Sequence, residues 1–562
     1  MSSKNSKTTA EYNYRNILII AFTRLGDMLQ ASHMIRVLKD TYPQAHITIL
    51  ASKEINVICK GLPEINEIIT FDINDYFLNL KQHGVCVLKA YNQLSEVIND
   101  LRARNFDLCL DISYTIYTAK LVPLLNIKNV QVPTFDEFEQ KVIKNHWRRL
   151  FVTMAGDNCL RKYQPINLVD INILTAGLKP KYQKLFFTPK PQDYVDVQRY
   201  LDEQGISQTP YPLICIQCGT SQKKRQWGAE RFAAVAKELV ESLNAWIIYP
   251  GAPGEQELIS EAVACYAHPN IINAAGVHNI SQLAALLERA DLLITGDTGP
   301  MHLAAAMGTP SVSMFVGPSY CSETGPYSAG NIIVEPKISC YACSHENATC
   351  SNPVCYDKID PQTVARLCKL RLQTKNLEDL LNLKLSAEEV NPREMAVKVS
   401  YFDKDGFLEF KTISEIYSSD EILIEKIKAV YKQIWKEEFI QTKTKINFKK
   451  QKSLNPMLEN LDTAYKLLES CEQKVAQLTK LLQRNDFSQA KKMVQEIDAF
   501  DAQLINLGKT NPNLKIMTNM YNYEKTSITT NDIKEILRET RKNHATFKRR
   551  LAKFKELMAG ED

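Results

Sequence analysis

Short, unbroken apolar runs alternate with longer amphipathic stretches through the first two thirds of the chain. NILIIA at residues 16–21 has the length of a strand, and the stretch 31–40 keeps Ile35 and Leu38 on one helical face. Further runs follow at 46–51, 67–71 and 107–112, with a long helical region over 78–104. Solid apolar runs between helices predict buried parallel strands, because crossover helices cover both faces of the sheet. The segment 179–212 is rich in Pro, Lys and Gln and reads as a linker. The pattern then restarts, with strands at 213–218, 245–249, 271–274, 292–295 and 311–316. Helices are expected over 229–243, 255–267, 281–289 and 301–307. Two consecutive α/β domains would leave a cleft facing the carboxyl ends of both sheets.

Beyond residue 390 the pattern changes. Apolar stretches at 397–402 and 407–410 flank Asp403-Lys404-Asp405-Gly406, a hairpin with Gly at its turn. Leu454, Met457, Leu461, Ala464, Leu468, Cys471, Val475, Leu478 and Leu482 then recur in alternating steps of three and four, a helical-hairpin or coiled-coil seam. Helices are expected over 487–507 and 530–558 as well. The predicted organisation is an N-terminal acceptor domain (1–180), a donor domain (181–390), a small hairpin and helix segment (391–450) and a helical bundle or coiled-coil tail (451–562). The tail suggests a homo-oligomer.

Composition narrows this picture. The chain has 562 residues and a net charge of +5, too small for its size to argue for nucleic-acid binding. No apolar run is long enough to span a bilayer, and the polar N-terminal stretch lacks a signal-peptide core. The fourteen cysteines are scattered, which fits a reducing cytoplasm. Residues 139–154 (EQKVIKNHWRRLFVTM) form a basic amphipathic pattern, either a solvated helix face or a contact with an acidic lipid surface or acceptor. The latter would make the protein peripheral on the cytoplasmic face of the inner membrane.

Chemistry is concentrated at four strand ends. Residues 292–318 run from a buried strand through Gly296-Asp297-Thr298-Gly299 into a small-residue helix carrying Pro300 and His302. A strand, a glycine turn and a helix N-terminus aim backbone N–H groups and a dipole at an anion, and Thr298 adds a hydroxyl. Gly219-Thr220-Ser221 after the strand at 213–218 leads into Lys223-Lys224-Arg225, hydroxyls and cations that suit a diphosphate. In Gly251-Ala252-Pro253-Gly254-Glu255, the Glu255 carboxylate could hold ribose hydroxyls. Asp27, beside Arg24 and Gly26 at the end of the first strand, is either a general base or a helix cap. Cys340, Cys343, Cys350 and Cys355 are close enough in sequence for a structural zinc or iron site, or are reduced thiols.

In this order, Arg24-Leu25-Gly26-Asp27, Lys224 to Trp227 with Glu230-Arg231-Phe232, Gly251 to Glu255 and Gly296 to His302 resemble glycosyltransferase family 9, over residues 16–364. The resemblance implies a GT-B fold and inverting transfer of heptose, or a related sugar, from a nucleotide-diphosphate donor such as ADP-heptose. The acceptor would be a lipopolysaccharide core or another surface glycan. It makes Asp27 the base and Lys224 the cation on the departing diphosphate, with no cofactor required for catalysis. Thr220, Ser221, Arg225, Glu255, Asp297, Thr298, Gly299, Pro300 and His302 would hold the donor, and Arg24 and Gly26 the acceptor. The family has its Lys two positions before Trp, where this chain has Arg225, so Lys224 would act from one residue away. A polypeptide Ser/Thr acceptor and an inactive scaffold assembled through the tail are the alternatives.

Overall fold

A computed structural model describes residues 13–71, 85–113, 115–131, 133–135, 141–155, 157–206, 209–343, 350, 353–415, 418–440, 455–528, 530 and 532–559. The chain forms two compact units. One joins Met1–Val132 with Ile166–Tyr417, and the other joins Pro133–Pro165 with Ser418–Asp562.

The first unit holds both α/β halves. Strands β1 (Asn16–Ala21), β2 (His46–Ala51), β3 (Glu67–Thr70), β4 (Leu108–Asp111) and β5 (Asn129–Gln131) form a parallel sheet in the order β3-β2-β1-β4-β5. Along β1, Ile17, Ile19 and Ala21 enter one apolar cluster, while Leu18 and Ile20 enter another on the opposite face. Both faces are covered, which is why the run shows no alternation.

The next strands, β6 (Pro133–Phe135) and β7 (Lys141–Ile143), pair antiparallel and belong to the other unit. The second sheet follows with β8 (Leu213–Gln217), β9 (Trp246–Gly251), β10 (Ile271–Ala275), β11 (Leu292–Gly296), β12 (Ser311–Met314), β13 (Ile332–Pro336), β14 (Met395–Phe402) and β15 (Leu408–Thr412). Its order is β10-β9-β8-β11-β12-β13-β14-β15, with β14 and β15 antiparallel additions to a parallel core. Chain order reverses beside β1 in the first sheet and beside β8 in the second. Those are the switch points where open α/β sheets leave a crevice at their carboxyl ends.

Three segments of this unit differ from the sequence-based expectation. The first helix spans Leu25–Thr41, so it starts well before residue 31 and takes Asp27 into its first turn. The supposed linker contains the helix Pro191–Glu203, with Pro in its first turn and Asp193 accepting the Lys190 N–H at 3.0 Å. Val197 and Leu201 bury its inner face. The hairpin turn forms as expected: Gly406 has φ +84°, and Asp403 accepts the N–H groups of Asp405 and Phe407 at 2.9 Å each. Its strands, however, extend the second sheet through β13 and are no separate segment, because Val397 and Val399 complete that sheet's buried face.

The helical unit contains Ser419–Trp435, Asn455–Gln483, Phe487–Thr510, Pro512–Thr526 and Ile533–Ala559. Leu461, Ala464, Leu468, Cys471, Val475 and Leu478 of the seam are buried, and Leu454 lies outside the described residues. The helix Pro512–Thr526 is missing from the sequence-based expectation, although Pro512 in its first turn and Asn511 capping Asn513 at 3.2 Å give it a regular start. The basic stretch 139–154 is part strand (β7) and part helix (His146–Ala155). Its Arg148 and Arg149 are buried, and Arg149 donates to the Ile143 carbonyl at 2.8 Å and pairs with Glu524 at 3.3 Å. Neither arginine faces solvent or lipid. Among the described residues, no helix is long and apolar enough to cross a membrane.

Candidate active site

The carboxyl end of β11 turns through Gly296, Asp297 and Thr298 into the helix Gly299–Met307. Thr298 is the N-cap in extended conformation, and its side chain caps no helix N–H. Its hydroxyl lies 3.0 Å from that of Thr295 instead. Pro300 stands in the first turn and has no N–H, so the open backbone donors of that turn are the N–H groups of Gly299 and Met301. An open N-terminus of this kind has the geometry that suits an anion.

Across from it stands the start of the first-half helix. A Cβ added to Gly26 would lie 3.1 Å from His302 Cδ2 and 3.6 Å from Gly299 Cα, and one added to Gly299 would lie 3.7 Å from the Gly26 nitrogen. Two glycines thus let two helix N-termini, one from each α/β half, meet backbone to backbone. Asp27 occupies the third helical position, where its Oδ2 accepts the Thr23 hydroxyl at 2.6 Å and the Arg24 N–H at 3.3 Å. The capping interaction and the placement near the turn therefore coexist. Arg24 is exposed beside it.

His302 is buried, and its Nδ1 has no hydrogen-bond partner. Burial pushes its pKa below the ordinary value; the Asp297 and Asp27 carboxylates oppose that shift and Arg225 adds to it. A neutral imidazole therefore sits between the two turns at neutral pH.

The loop after β8 completes the constellation. Thr220 Cγ2 and the Arg225 carbonyl lie 3.9 and 3.5 Å from a Cβ built on Gly296, so this loop lies against the β11 turn. Arg225 Nη1 pairs with Asp297 Oδ2 at 3.0 Å, both side chains largely buried. Lys224 is buried, its charge opposes the rise of the Cys343 thiol pKa, and its carbonyl would lie 2.2 Å from a Cβ on Gly317. Arg225 is joined to the Gly296–Gly299 turn through Asp297. Ser221 is exposed, and the Thr220 hydroxyl donates to the Gln222 carbonyl at 2.6 Å.

The Glu255 carboxylate accepts the Ala252 N–H at 2.8 Å and lies over the Gly219 backbone, where a Cβ would come within 1.5 Å of Oε1. Sequence reasoning missed Gln217, the last residue of β8. Its Nε2 contacts Glu255 at 3.4 Å, while its buried Oε1 has no partner. A lone amide inside the apolar run LICIQC was the available signal.

The four cysteines at 340–355 are less concentrated than their spacing suggests. Cys340 and Cys350 are exposed, Cys343 is half-buried and Cys355 is buried. Burial raises the pKa of Cys343 and Cys355, and the neighbouring thiols add to the rise at both. Among the described residues they do not close into a ligand set. The group of three metal-ligating side chains whose ligand atoms lie within 4.8 Å of one another is Cys471, Asp501 and His544, in the helical unit.

Residues 95–353 match the sequence profile of glycosyltransferase family 9 (heptosyltransferase). Lipopolysaccharide heptosyltransferase 3 of Escherichia coli is 26% identical over 299 residues, covering 52% of this chain and 80% of that protein. The lipopolysaccharide core heptosyltransferase OpsX of Haemophilus influenzae is 24% identical over 305 residues, covering 54% of this chain and 79% of its own length. Among solved structures, the family 9 glycosyl transferase from Veillonella parvula superposes with a TM-score of 0.51 at 21% identity, over 64% of this chain and 98% of that one. That superposition shows a shared fold. Asp27 and the helical tail both lie outside the profile match.

Proposed function

We propose that this chain, whose residues 95–353 match glycosyltransferase family 9, is a heptosyltransferase that moves heptose from ADP-heptose to a lipopolysaccharide-core acceptor with inversion at the anomeric carbon. The similarity to heptosyltransferases of E. coli and H. influenzae supports the sugar and the acceptor class. The observation that carries the mechanism is the meeting of the Gly26–Asp27 turn with the Gly299–His302 turn.

In this reading Asp27 accepts the proton of the acceptor hydroxyl as its oxygen bonds to the sugar C1. The bond from C1 to the diphosphate breaks, and the nucleotide diphosphate leaves with the electron pair. Thr23, donating to Asp27 at 2.6 Å, fixes the carboxylate. Arg225 and the open N–H groups of Gly299 and Met301 stabilise the charge that develops on the leaving group. Asp297 orients Arg225. Base assistance of this kind contributes about 10²–10⁴-fold, and preorganised donors a similar or larger factor. A nucleotide-sugar donor places the reaction in the cytoplasm.

The test is incubation with labelled ADP-heptose and either a heptose-deficient lipopolysaccharide core or a flagellin or adhesin polypeptide. Label is expected in the glycolipid. Label confined to the polypeptide would move the assignment to protein O-glycosylation. No transfer to either acceptor, together with no donor binding, would leave the α/β unit a scaffold.

A further inference from the structure

The helical unit contains a second constellation that sugar transfer does not use. Cys471 from Asn455–Gln483, Asp501 from Phe487–Thr510 and His544 from Ile533–Ala559 converge at one point, each almost fully buried. Their ligand atoms all lie within 4.8 Å of one another. Tyr521, from Pro512–Thr526, stands beside them.

Three polar groups crowd one imidazole nitrogen here. His544 Nε2 has Cys471 Sγ at 3.5 Å, Asp501 Oδ1 at 3.6 Å and the Tyr521 hydroxyl at 2.8 Å. One imidazole nitrogen offers a single proton or a single lone pair, so it can serve one of the three. The other nitrogen, Nδ1, is buried with no hydrogen-bond partner. A network built for hydrogen bonding would divide its partners between the two nitrogens.

Two of the three separations lie close to the edges of a tetrahedron. Zinc–sulfur and zinc–nitrogen bonds of about 2.3 and 2.0–2.1 Å at a tetrahedral angle put S and N about 3.5 Å apart. The sulfur–nitrogen distance meets that value, and the nitrogen–oxygen distance exceeds its own edge, about 3.3 Å, by a few tenths of an ångström. The donor types also agree, since thiolate, imidazole and carboxylate together select a borderline transition metal over magnesium or calcium.

The remaining groups act as orienting partners. The Tyr521 hydroxyl donates to Asp501 Oδ1, and the Lys525 ammonium lies 2.5 Å from Oδ2. Thiolate and carboxylate offset a divalent charge, and Lys525 opposes it. We propose that Cys471, Asp501 and His544 bind one divalent transition-metal ion of the zinc class, clasping three helices of the bundle.

The probe is cobalt(II), titrated into the chelator-stripped full-length chain. One equivalent should bind with a thiolate-to-cobalt charge-transfer absorption, and bound metal should raise the thermal midpoint of the helical signal. Replacing Cys340, Cys343, Cys350 and Cys355 together by Ser should leave that absorption in place. Cys471→Ser and His544→Gln should each abolish it, with far-UV circular dichroism reporting whether the helices persist. If neither variant folds, X-ray absorption on the zinc-loaded loop-serine chain decides, with one sulfur in a mixed shell expected. The proposal is overturned if the stripped chain takes up no cobalt, if both variants keep the absorption, or if the zinc shell holds no sulfur.

Discussion

Two buried clusters, one in each unit, handle polar groups in opposite ways. In the α/β unit, the strand ends that meet at the crevice carry unfinished chemistry: His302 Nδ1 and Gln217 Oε1 are buried without partners, and the Gly299 helix has no side-chain cap. In the helical unit, Arg550 is 1% exposed yet held on both sides, by Glu438 at 2.8 Å through Nε and Nη2 and by Glu524 at 2.9 Å through Nη1. Arg149 joins the same Glu524, and the Arg550 guanidinium stacks over Trp435 at 5.1 Å. Native proteins satisfy nearly all buried polar atoms, so those left open mark where a ligand completes the bonding. A saturated ion cluster holds a fold together and has no capacity to spare for a substrate.

This contrast predicts which substitutions act on stability and which on rate. The largest effect is expected from Arg550→Ala. It strands two buried carboxylates and should lower the stability of the helical unit by about 3–5 kcal/mol, read by denaturant unfolding of its helices. Unchanged stability would mean that the cluster is not sealed.

Next comes Arg225→Ala, expected to reduce kcat/KM for transfer by about 10²–10³ through loss of a leaving-group donor. Arg225→Lys should recover only part of that, since an ammonium lacks the planar fork that pairs with Asp297. Steady-state kinetics against donor concentration would measure both.

A pH effect should separate a structural ion pair from the crevice. Burial alone would raise the Glu335 pKa, but the attraction and hydrogen bond of Lys398, at 2.7 Å, and the Cys321 N–H pull it from 4.5 down to about 2. A depressed carboxyl contributes stability that is fully present above its unfolded pKa and fades as pH falls through its folded one. Wild-type stability should therefore decline between about pH 4.5 and 2, and Glu335→Gln should flatten that limb of an acid titration. The smallest effect is expected from Lys224→Ala. In the proposed mechanism Arg225 carries the leaving-group charge, so this variant should change kcat/KM by less than about tenfold. A larger loss there than at Arg225 would reverse the assignment of the cation.

Much of the α/β unit was legible because β1, β8 and β11 are covered on both faces and read as solid apolar runs. The glycine turns were legible for a related reason, since Gly26, Gly219 and Gly299 stand where another backbone or a carboxylate comes close. What escaped was pairing between distant residues. Nothing local distinguishes Arg225 from Lys224; only the fold brings Asp297, 72 positions on, to one of them. The basic pattern around Arg148 and Arg149 resembled a surface helix because its partner Glu524 lies 375 positions away. Cys471 looked like one more seam residue, and the helix carrying Tyr521 lacked the regular apolar spacing of its neighbours. Long-range ion pairs and convergent side chains are tertiary facts, and periodicity carries no record of them.

The account turns on the Asp27 carboxylate acting across from an anion-binding helix terminus. Asp27→Asn keeps the shape and the Thr23 contact but removes the base. With donor affinity followed by calorimetry and turnover by labelled-sugar transfer, the variant should bind ADP-heptose as wild type does and turn over at least about 10²-fold more slowly. Turnover within a few-fold of wild type would contradict the assignment.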